Sequence, residues 1–426
     1  MSSPARKVAD DAVATPMHER LYLGHLLFFV CFATLFEGYD LLIINLSLPH
    51  LGTDFGADSQ TLGTAVGIIN IGTIAAFIPV RMADRYGRRT IFLAAIAGYT
   101  LFTILTAFSV GLYDFVAYQF VARMFMVTEI GVGAIILTEE MPARWRGAAV
   151  TAMFAASLFG GVLGSTLFPY LVDTQLSWRM LYIAGGAVLP LLIVYWSRLR
   201  ETQRFAQEIS QSTATRPSFL ASFKQMLVLL KSEYRRRVLA GATIWFAVNA
   251  WSSCCLFFFS YYVTNERNWD AAAVSYTLTL AYSLAIIGYV TAGPMLDFAG
   301  RRVTAVLYFT VGAVSAYICF TAQSATVITL AYIVVLGMHA LWPIAATITS
   351  EIFPTAIRGT ANAVVNNLLG RTGMALAPAL VGALSAVLGS VGEAVALVTL
   401  VPFACLPIIL LVVQETKGKE LEEINS

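Results

Sequence analysis

The chain has 426 residues, of which 58% are hydrophobic and 12% are charged. That charged share is about half that of an average soluble domain, and a soluble chain of this length could not bury so much apolar surface. The composition therefore argues against a soluble enzyme, a disordered chain or a nucleic-acid-binding protein, and a lipid bilayer is the expected solvent. The formal net charge of +2 indicates no particular partner.

The first 20 residues are polar and mixed in charge, without the apolar core of a signal peptide, and are predicted to be a cytoplasmic tail. Twelve apolar runs follow, each long enough for a membrane-spanning helix of about 20 residues. Helices are expected because lipid offers the backbone no hydrogen-bond partners. The predicted spans are 21–48, 60–80, 90–110, 113–137, 147–172, 178–197, 238–264, 271–293, 303–322, 325–349, 359–388 and 391–413.

The longest polar stretch divides the chain into two groups of six predicted helices. The predicted fold is therefore an all-α polytopic membrane protein with a six-helix bundle at 21–197 and another at 238–413. Residues 198–237 form the linker, and 414–426 form a second tail. Within the linker the run 219–237 is amphipathic, which favours a helix lying along the membrane surface.

Lysine and arginine are distributed asymmetrically about these spans. Of the 27 in the chain, 23 fall in the segments on the side of the N-terminus, two in the opposite loops and two inside spans. Because positive charge accumulates in cytoplasmic loops, both termini are predicted to be cytoplasmic. We expect an integral protein of the plasma or inner membrane.

Two motifs recur at nearly the same offset. The sequence DRYGRR at 84–89 is echoed by DFAGRR at 297–302, which lies 213 positions later. The pattern E-x-x-P-x-x-x-R-G begins at Glu139 and again at Glu351, 212 positions later. A duplicated six-helix bundle accounts for both repeats, and such repeats are typical of secondary transporters.

These motifs and the twelve-helix plan resemble the major facilitator superfamily. The E-x-x-P-x-x-x-R-G pairs and the sequence ETKG at 415–418 resemble its branch of sugar porters, organic-ion transporters and aromatic-acid/proton symporters. One departure is Val80, where the family usually has the glycine that Gly293 retains in the second half. The resemblance implies a monomeric transporter of a small molecule and protons by alternating access, with no enzymatic activity and no cofactor.

The resemblance also implies that the loop motifs gate the cytoplasmic side. Arg85, Arg88 and Arg89 would meet Glu139 and helix-end carbonyls. Arg301 and Arg302 would do the same with Glu351 and the helix ends of the second half, until inward opening breaks these pairs. The alternative is that the charges only set topology. The candidate gating residues are Asp84, Arg85, Gly87, Arg88, Arg89, Glu139, Arg146, Asp297, Gly300, Arg301, Arg302, Glu351 and Arg358.

Ionisable groups inside spans are costly, so each is a functional candidate. Glu37 and Asp40 are three residues apart on the first span and share a helix face. Their repulsion and burial favour the protonated form of at least one, which proton coupling requires. Arg123 stays charged and must find an anion. Asp40 is its expected partner if spans one and four meet.

The motif around Asp40 supports this hypothesis by resemblance. Gly38-Tyr39-Asp40 resembles the G-Y-D of proton-coupled sugar porters, and the sequence EGYD at 37–40 resembles the D-G-x-D of aromatic-acid symporters. Arg123 matches the arginine of a fourth-span R-x-x-x-G-x-G motif. Val127 and Glu129 replace its glycines. Glu129 is a second proton carrier, faces a polar cavity, or is a structural charge paired to a neighbouring helix.

Substrate contacts are predicted at Arg371, Arg123, Tyr39, Asn249, Trp342 and Asn367. Asn367 and Arg371 share a helix face, and G-R-x-G-x-x-x-x-P at 370–378 resembles the eleventh span of metabolite and aromatic-acid symporters. A guanidinium suits a carboxylate through bidentate hydrogen bonds. The alternative is that Arg371 only satisfies polar groups between helices.

The leading hypothesis is proton-coupled symport of a small organic anion, with an aromatic carboxylate as one candidate. A sugar or polyol porter is the first alternative, although the seventh span lacks a Q-L-S run and the fifth has no glutamine. A drug/proton antiporter is a second alternative, which the two intramembrane arginines disfavour. A non-transporting receptor on the same fold is the third.

Overall fold

A computed structural model describes residues 17–196, 198–205, 229, 234–413, 415 and 417. Within those residues the chain is helical, and it contains no β-strand. The first half contains α1 (Met17–Phe55), α2 (Ser59–Ala75), α3 (Phe77–Tyr86), α4 (Arg88–Ala107), α5 (Leu112–Glu140), α6 (Ala143–Val172), α7 (Arg179–Gly185) and α8 (Leu189–Trp196).

The second half repeats this plan with more interruptions. It contains α9 (Arg235–Asn265), α10 (Ala271–Phe298), α11 (Arg301–Thr321), α12 (Ala325–Met338), α13 (Leu341–Ile352), α14 (Thr355–Asn362), a π-helical segment (Ala363–Gly370), α15 (Thr372–Leu388), α16 (Val391–Val398) and α17 (Val401–Leu411).

Eleven helical stretches in the described residues are long and apolar enough to cross a membrane. They match eleven of the predicted spans, and the all-α polytopic fold is confirmed. The predicted sixth span, 178–197, differs in being a shorter apolar stretch, Arg179–Val194. A 3₁₀ turn at Gly186–Val188 interrupts it. Pro190 follows this turn and has no N–H to continue a helical ladder, so a break there is expected.

The division of the chain into bundles, linker and tails stays a prediction. Residues 1–16 lie outside the described part. The amphipathic run 219–237 also lies outside it, apart from Leu229 and residues 234–237.

Among the described residues, the two halves contact each other most extensively along three helix pairs: α1 with α9, α2 with α15, and α6 with α10. In the described part, the hydrogen bonds across this interface lie at the end opposite the loop motifs, which we call the outer end. Asn45 Oδ1 accepts the Ser260 N–H at 2.9 Å, and Ser385 Oγ donates to Ser59 Oγ at 2.9 Å. The end that carries the loop motifs is called the motif end.

Glycines bring α1 and α6 into close contact inside the first half. A β-carbon on Gly38 would overlap the backbone of Ser157, and one on Gly160 would overlap the carbonyl of Leu35. Small residues allow such close backbone approach between membrane helices. The contact fixes the rotation of α1, and therefore where Glu37 and Asp40 point.

We expect Gly38→Ala to lower the thermal stability of the purified protein, because the opposing backbone cannot move aside. Overpacking of this kind costs about 1–3 kcal/mol. Gly24→Ala is the matched control on the same helix, since a β-carbon there meets nothing within 4 Å. Melting midpoints in detergent measure both, and equal midpoints for the two variants would contradict this close packing.

Candidate functional site

Glu37 and Asp40 are both buried on α1, with exposed fractions of 5% and 1%. Their hydrogen bonds go to different helices. Ser157 Oγ of α6 donates to Glu37 Oε2 at 3.0 Å, whereas Thr103 Oγ1 of α4 donates to Asp40 Oδ2 at 3.0 Å. The two acids therefore occupy separate polar environments, although they are only three residues apart.

Arg123 on α5 is buried and points towards the second half. Its guanidinium carbon lies 5.3 Å from the ring centre of Phe257 on α9. Its Nε and Nη2 atoms have no hydrogen-bond partner within the described residues. Asp40 and Glu37 are the carboxyl groups whose charges act on it most strongly.

The expected ion pair between Asp40 and Arg123 is not formed among the described residues. Spans one and four do meet, as α1 contacts α5. Thr103 is the hydrogen-bond partner of Asp40, however, and the other carboxylate oxygen, Oδ1, has no partner in the described part of the chain. The Arg123 side chain instead extends across the interface to Phe257, which corrects the direct pairing expected from the sequence.

Arg371 approaches the same region from the second half. It follows the π-helical segment Ala363–Gly370, and such irregular turns are common at functional sites. Its Nε donates to Asn367 Oδ1 at 3.4 Å, so the predicted pair on one face is present. Arg371 and Arg123 are close enough for their charges to repel each other. Two arginines from opposite halves therefore converge.

Aromatic side chains of the second half lie beside Arg371. The rings of Trp245 and Trp342 meet edge to face at 5.4 Å, and Gly370 packs directly against Trp245. Asn249 Nδ2 donates to the Trp245 carbonyl at 2.8 Å, and its buried Oδ1 has no partner in the described part. This side therefore contains two packed indole rings and, in Asn249 Oδ1, a buried acceptor without a partner.

The candidate anion site is defined as Arg123 and Phe257 together with Arg371, Asn249 and Trp342. Tyr39 does not belong to it in this conformation. The Tyr39 hydroxyl donates to the Leu181 carbonyl at 2.8 Å, and its side chain is 1% exposed. Tyr39 is thus packed inside the first half in this conformation, and its role as a substrate contact stays a prediction.

Glu129 on α5 is fully buried. Thr34 Oγ1 donates to its Oε1 at 3.1 Å, and its Oε2 has no partner within the described part. Thr34, Thr103 and Ser157, which solvate the three acids, were missed in the sequence. Many spans carry hydroxyl side chains, and no sequence signal distinguishes these three.

The loop motif of the first half forms a compact cluster. Gly87 links α3 to α4 with a φ of 99°, a conformation that favours glycine. Arg88 Nη2 lies 3.3 Å from Glu139 Oε1 and 3.6 Å from Asp84 Oδ1. The Arg89 side chain donates to the carbonyl of Trp196 at 2.5 Å, as expected for a helix-end carbonyl.

The second half reproduces this cluster. Gly300 has a φ of 90°. Arg301 binds Glu351 through Nη2–Oε1 at 2.9 Å and Nε–Oε2 at 3.2 Å, and lies 3.5 Å from Asp297. Arg302 Nε donates to the Val413 carbonyl at 2.6 Å, just after the end of α17, as expected for a helix-end carbonyl.

The remaining candidate gating arginines have local contacts. Arg85 lies over the Tyr86 ring at 5.5 Å, and Arg358 Nε donates to the Phe353 carbonyl at 3.3 Å. Arg146 Nε is buried without a hydrogen-bond partner among the described residues.

A third repeated pair completes each cluster. Glu201 Oε1 accepts the Arg89 N–H at 3.1 Å at the start of α4. Glu415 accepts the N–H groups of Arg301 and Arg302 at 2.9 and 3.1 Å at the start of α11. A carboxylate at a helix N-terminus accepts hydrogen bonds from free N–H groups and interacts favourably with the positive end of the helix dipole. Glu201 was missed, although the pair ET at 201–202 recurs 214 positions later at 415–416.

The ion pairs of both clusters lie within one half each. These ion pairs are present in a conformation whose described hydrogen bonds between the halves lie at the outer end. The expected breakage of these pairs on inward opening is therefore not seen in this conformation, and the gating role of the motifs stays a prediction. Within each half, the pairs tie neighbouring helix ends together.

We expect Arg301 and Glu351 to show strong energetic coupling, because both are mostly buried and share two hydrogen bonds. Arg301→Gln or Glu351→Gln alone should lower the melting midpoint, since a hydrogen bond to a charged group contributes about 1.5–3 kcal/mol. The double variant should lose less than the sum of the two single losses. Strict additivity of the three midpoints would contradict the pair.

The fold and the site together define a membrane transporter made of two helical halves with a charged site between them. The sequence profile of the Major Facilitator Superfamily matches residues 30–265 and 246–425. The chain therefore belongs to the Major Facilitator Superfamily and is an integral membrane protein.

Relatives and a solved structure agree with this assignment. The chain is 26% identical to the niacin transporter NiaP of Acinetobacter baylyi, over 94% of this chain and 96% of that protein. It is 30% identical to the gallate transporter of Pseudomonas putida, over 42% of this chain and 40% of that protein. The inward-open xylose transporter XylE of E. coli superposes with a TM-score of 0.72 at 18% identity, covering 94% of this chain and 99% of XylE.

Proposed function

We propose that the protein transports a small organic anion together with a proton, by alternating access, and that it is not an enzyme. The observation that carries this proposal is the pair of arginines, Arg123 and Arg371, converging from opposite halves. Buried arginines remain charged. Within the described residues neither forms an ion pair, so the site carries positive charge that a bound anion would neutralise.

A carboxylate is the anion best matched to two guanidinium groups. Each guanidinium offers parallel N–H groups that fit two carboxylate oxygens. Contact with both arginines would draw the halves together, because like charges that repel in the empty site would be attracted to the same ligand. Substrate binding would thus be coupled to the relative position of the halves.

An aromatic carboxylate is favoured over an aliphatic one. The Phe257 ring lies under the Arg123 guanidinium, and Trp342 packs against Trp245 in the second half. Ring contacts with a substrate would contribute about 0.5–1.5 kcal/mol beyond area burial. Two of the relatives are named as transporters of niacin and of gallate, and both compounds are aromatic carboxylic acids. The similarity to XylE supports the fold and not a sugar substrate, since identity is only 18%.

Proton coupling would follow from competition for the charge of Arg123. In the empty site, Asp40 and Glu37 are the acids whose charges act on Arg123. A bound carboxylate would take over that charge, and Asp40 would then be left as an uncompensated anion in a bilayer. Taking up a proton removes this cost. Anion and proton would therefore bind together, as symport requires.

The location is proposed from the charge distribution along the chain. Both termini and the motif end would face the cytoplasm, and the protein would act as a monomer in the plasma or inner membrane. The outer end, with its hydrogen bonds between Asn45 and Ser260 and between Ser59 and Ser385, would then be closed to the exterior.

The first experiment uses proteoliposomes that enclose a pH-sensitive dye. Carboxylates (nicotinate, gallate, benzoate), sugars and cationic drugs are added outside one at a time. Proton movement on addition of a carboxylate is the expected result. A response to sugars or cations alone would overturn the anion proposal.

We expect Arg371→Gln to lower the initial uptake rate of the best carboxylate at least about tenfold, because loss of one charged hydrogen bond costs about 1.5–3 kcal/mol. Arg371→Lys should retain part of the activity, since it keeps the charge and loses the planar fork. Arg179→Gln, which breaks an ion pair with Asp54 at the outer end, is the matched control. Unchanged uptake by the glutamine variant would contradict a substrate contact.

We expect Asp40→Asn to abolish substrate-driven proton movement, because an amide keeps the hydrogen bond to Thr103 but cannot take up a proton. Anion movement down its own gradient should persist, so counterflow of labelled carboxylate is measured in parallel. Proton movement that is unchanged in this variant would show that another group carries the proton.

A further inference from the structure

Glu129 forms a second acidic environment together with Glu37. Thr34, whose hydroxyl donates to Glu129 at 3.1 Å, precedes Glu37 by three residues on α1. Side chains at this spacing lie on the same face, with β-carbons about 5–6 Å apart. Glu37 is accordingly the charged side chain that acts most strongly on Glu129. The functional neighbour of Glu129 is thus Glu37.

This acidic pair lies at a different depth from the anion site. Glu129 is six residues from Arg123 towards the motif end of α5, and Thr34 is six residues from Asp40 in the same direction on α1. At 1.5 Å per residue the offset is about 9 Å. Arg123 forms no ion pair with Glu129 in the described part of the chain, so the positive charges of the anion site do not compensate Glu129 directly.

Apart from Arg123 and Asp40, which act on Glu37, the titratable groups near the pair are neutral at ordinary pH. Cys31 of α1 and Tyr99 of α4 lie near Glu129, and the Tyr99 hydroxyl already donates to the Ala33 carbonyl at 3.3 Å. Tyr282 of α10 lies near Glu37. Like Glu129, Glu37 has one hydroxyl donor, Ser157, but it also feels the positive charge of Arg123, which outweighs the repulsion from Asp40. Of the pair, Glu37 is therefore the better solvated anion.

We propose that Glu129 is a resident carboxylic acid that keeps its proton, that Glu37 is its ionised neighbour, and that Asp40 exchanges a proton with each anion. This inference deepens the proposed function and rests on it. Two adjacent carboxylates without a cation repel each other in a low dielectric, so one must stay neutral. Glu129 is that one, because it is fully buried, its Oε2 has no partner within the described residues, and Arg123 acts on Glu37 instead.

With this assignment, the positive and negative charges of the buried side chains cancel. With Glu129 neutral, the negative charges of Glu37 and Asp40 balance the positive charges of Arg123 and Arg371. A monovalent carboxylate adds one negative charge, and a proton on Asp40 removes it again. Counted over these four side chains and the bound anion, and not over the anion site alone, the net charge is then zero in both the empty and the loaded protein. This corresponds to one proton carried with each monovalent anion.

Infrared spectroscopy of the full-length protein in detergent tests this assignment without any substrate. The C=O stretch of a protonated carboxyl group is absent from carboxylates and from amides. We expect such a band at neutral pH in the empty wild-type protein. Glu129→Gln should remove it, whereas Asp40→Asn and Glu37→Gln should keep it. Glu393→Gln, at the exposed start of α16, is the matched control and should also keep it.

Thr34→Val provides a second, milder variant. Removing the hydroxyl that donates to Glu129 Oε1 should shift the band to higher frequency without removing it, because the C=O bond is no longer weakened by a hydrogen bond. Gel filtration checks that each variant is folded.

Three results would overturn the inference: a band that persists in Glu129→Gln, a band lost in Asp40→Asn, or no band in the wild type. These readouts involve no transport. The inference can therefore fail while anion symport stands, and anion symport can fail while Glu129 is protonated.

Discussion

The cost of charge inside a bilayer is the constraint on which the rest of this structure depends. Arg123 and Arg371 cannot lose their charge, and they approach each other from opposite halves with no fixed ion pair in the described residues. The carboxyl groups that act on Arg123 belong to α1, in the first half. The positive charge that Arg371 brings from the second half can therefore be neutralised by a mobile anion. This asymmetry makes the interface a binding site.

The two kinds of polar contact in the molecule have different roles. Ion pairs make each half rigid, and neutral hydrogen bonds between the halves allow them to move. Ion pairs such as Arg88–Glu139 and Arg301–Glu351 lie inside one half and tie its helix ends together. Neutral hydrogen bonds, such as the one between Ser59 and Ser385, join the halves. Net contributions of neutral bonds are about 0.5–1.5 kcal/mol, and water can replace them. Halves held in this way can separate at the outer end without exposing a buried charge.

Much of the fold could be predicted because the properties that determine it, such as segment length and apolarity, are local to each stretch of the chain. Length and apolarity define a membrane helix, and eleven spans were located in this way. The sixth span was harder, since hydropathy does not register the 3₁₀ turn at Gly186–Val188. The repeated motifs predicted matching clusters, and glycines 87 and 300 do occupy the same left-handed conformation. Arg302 and Arg89 likewise occupy equivalent places, since each donates to a carbonyl at a helix end.

The sequence by itself determined which charges enter the membrane, at what depth, and on which helix face, since helix periodicity and rise are fixed. Only the tertiary structure decided their neighbours. Glu37 and Asp40 lie on the same helix face by their spacing. In the fold, however, Glu37 accepts a hydrogen bond from Ser157 of α6 and Asp40 accepts one from Thr103 of α4. The same packing turns Arg123 towards Phe257 and places Tyr39 in the core. Which helix packs against a face depends on contacts between distant segments, and periodicity within one segment carries no information about them.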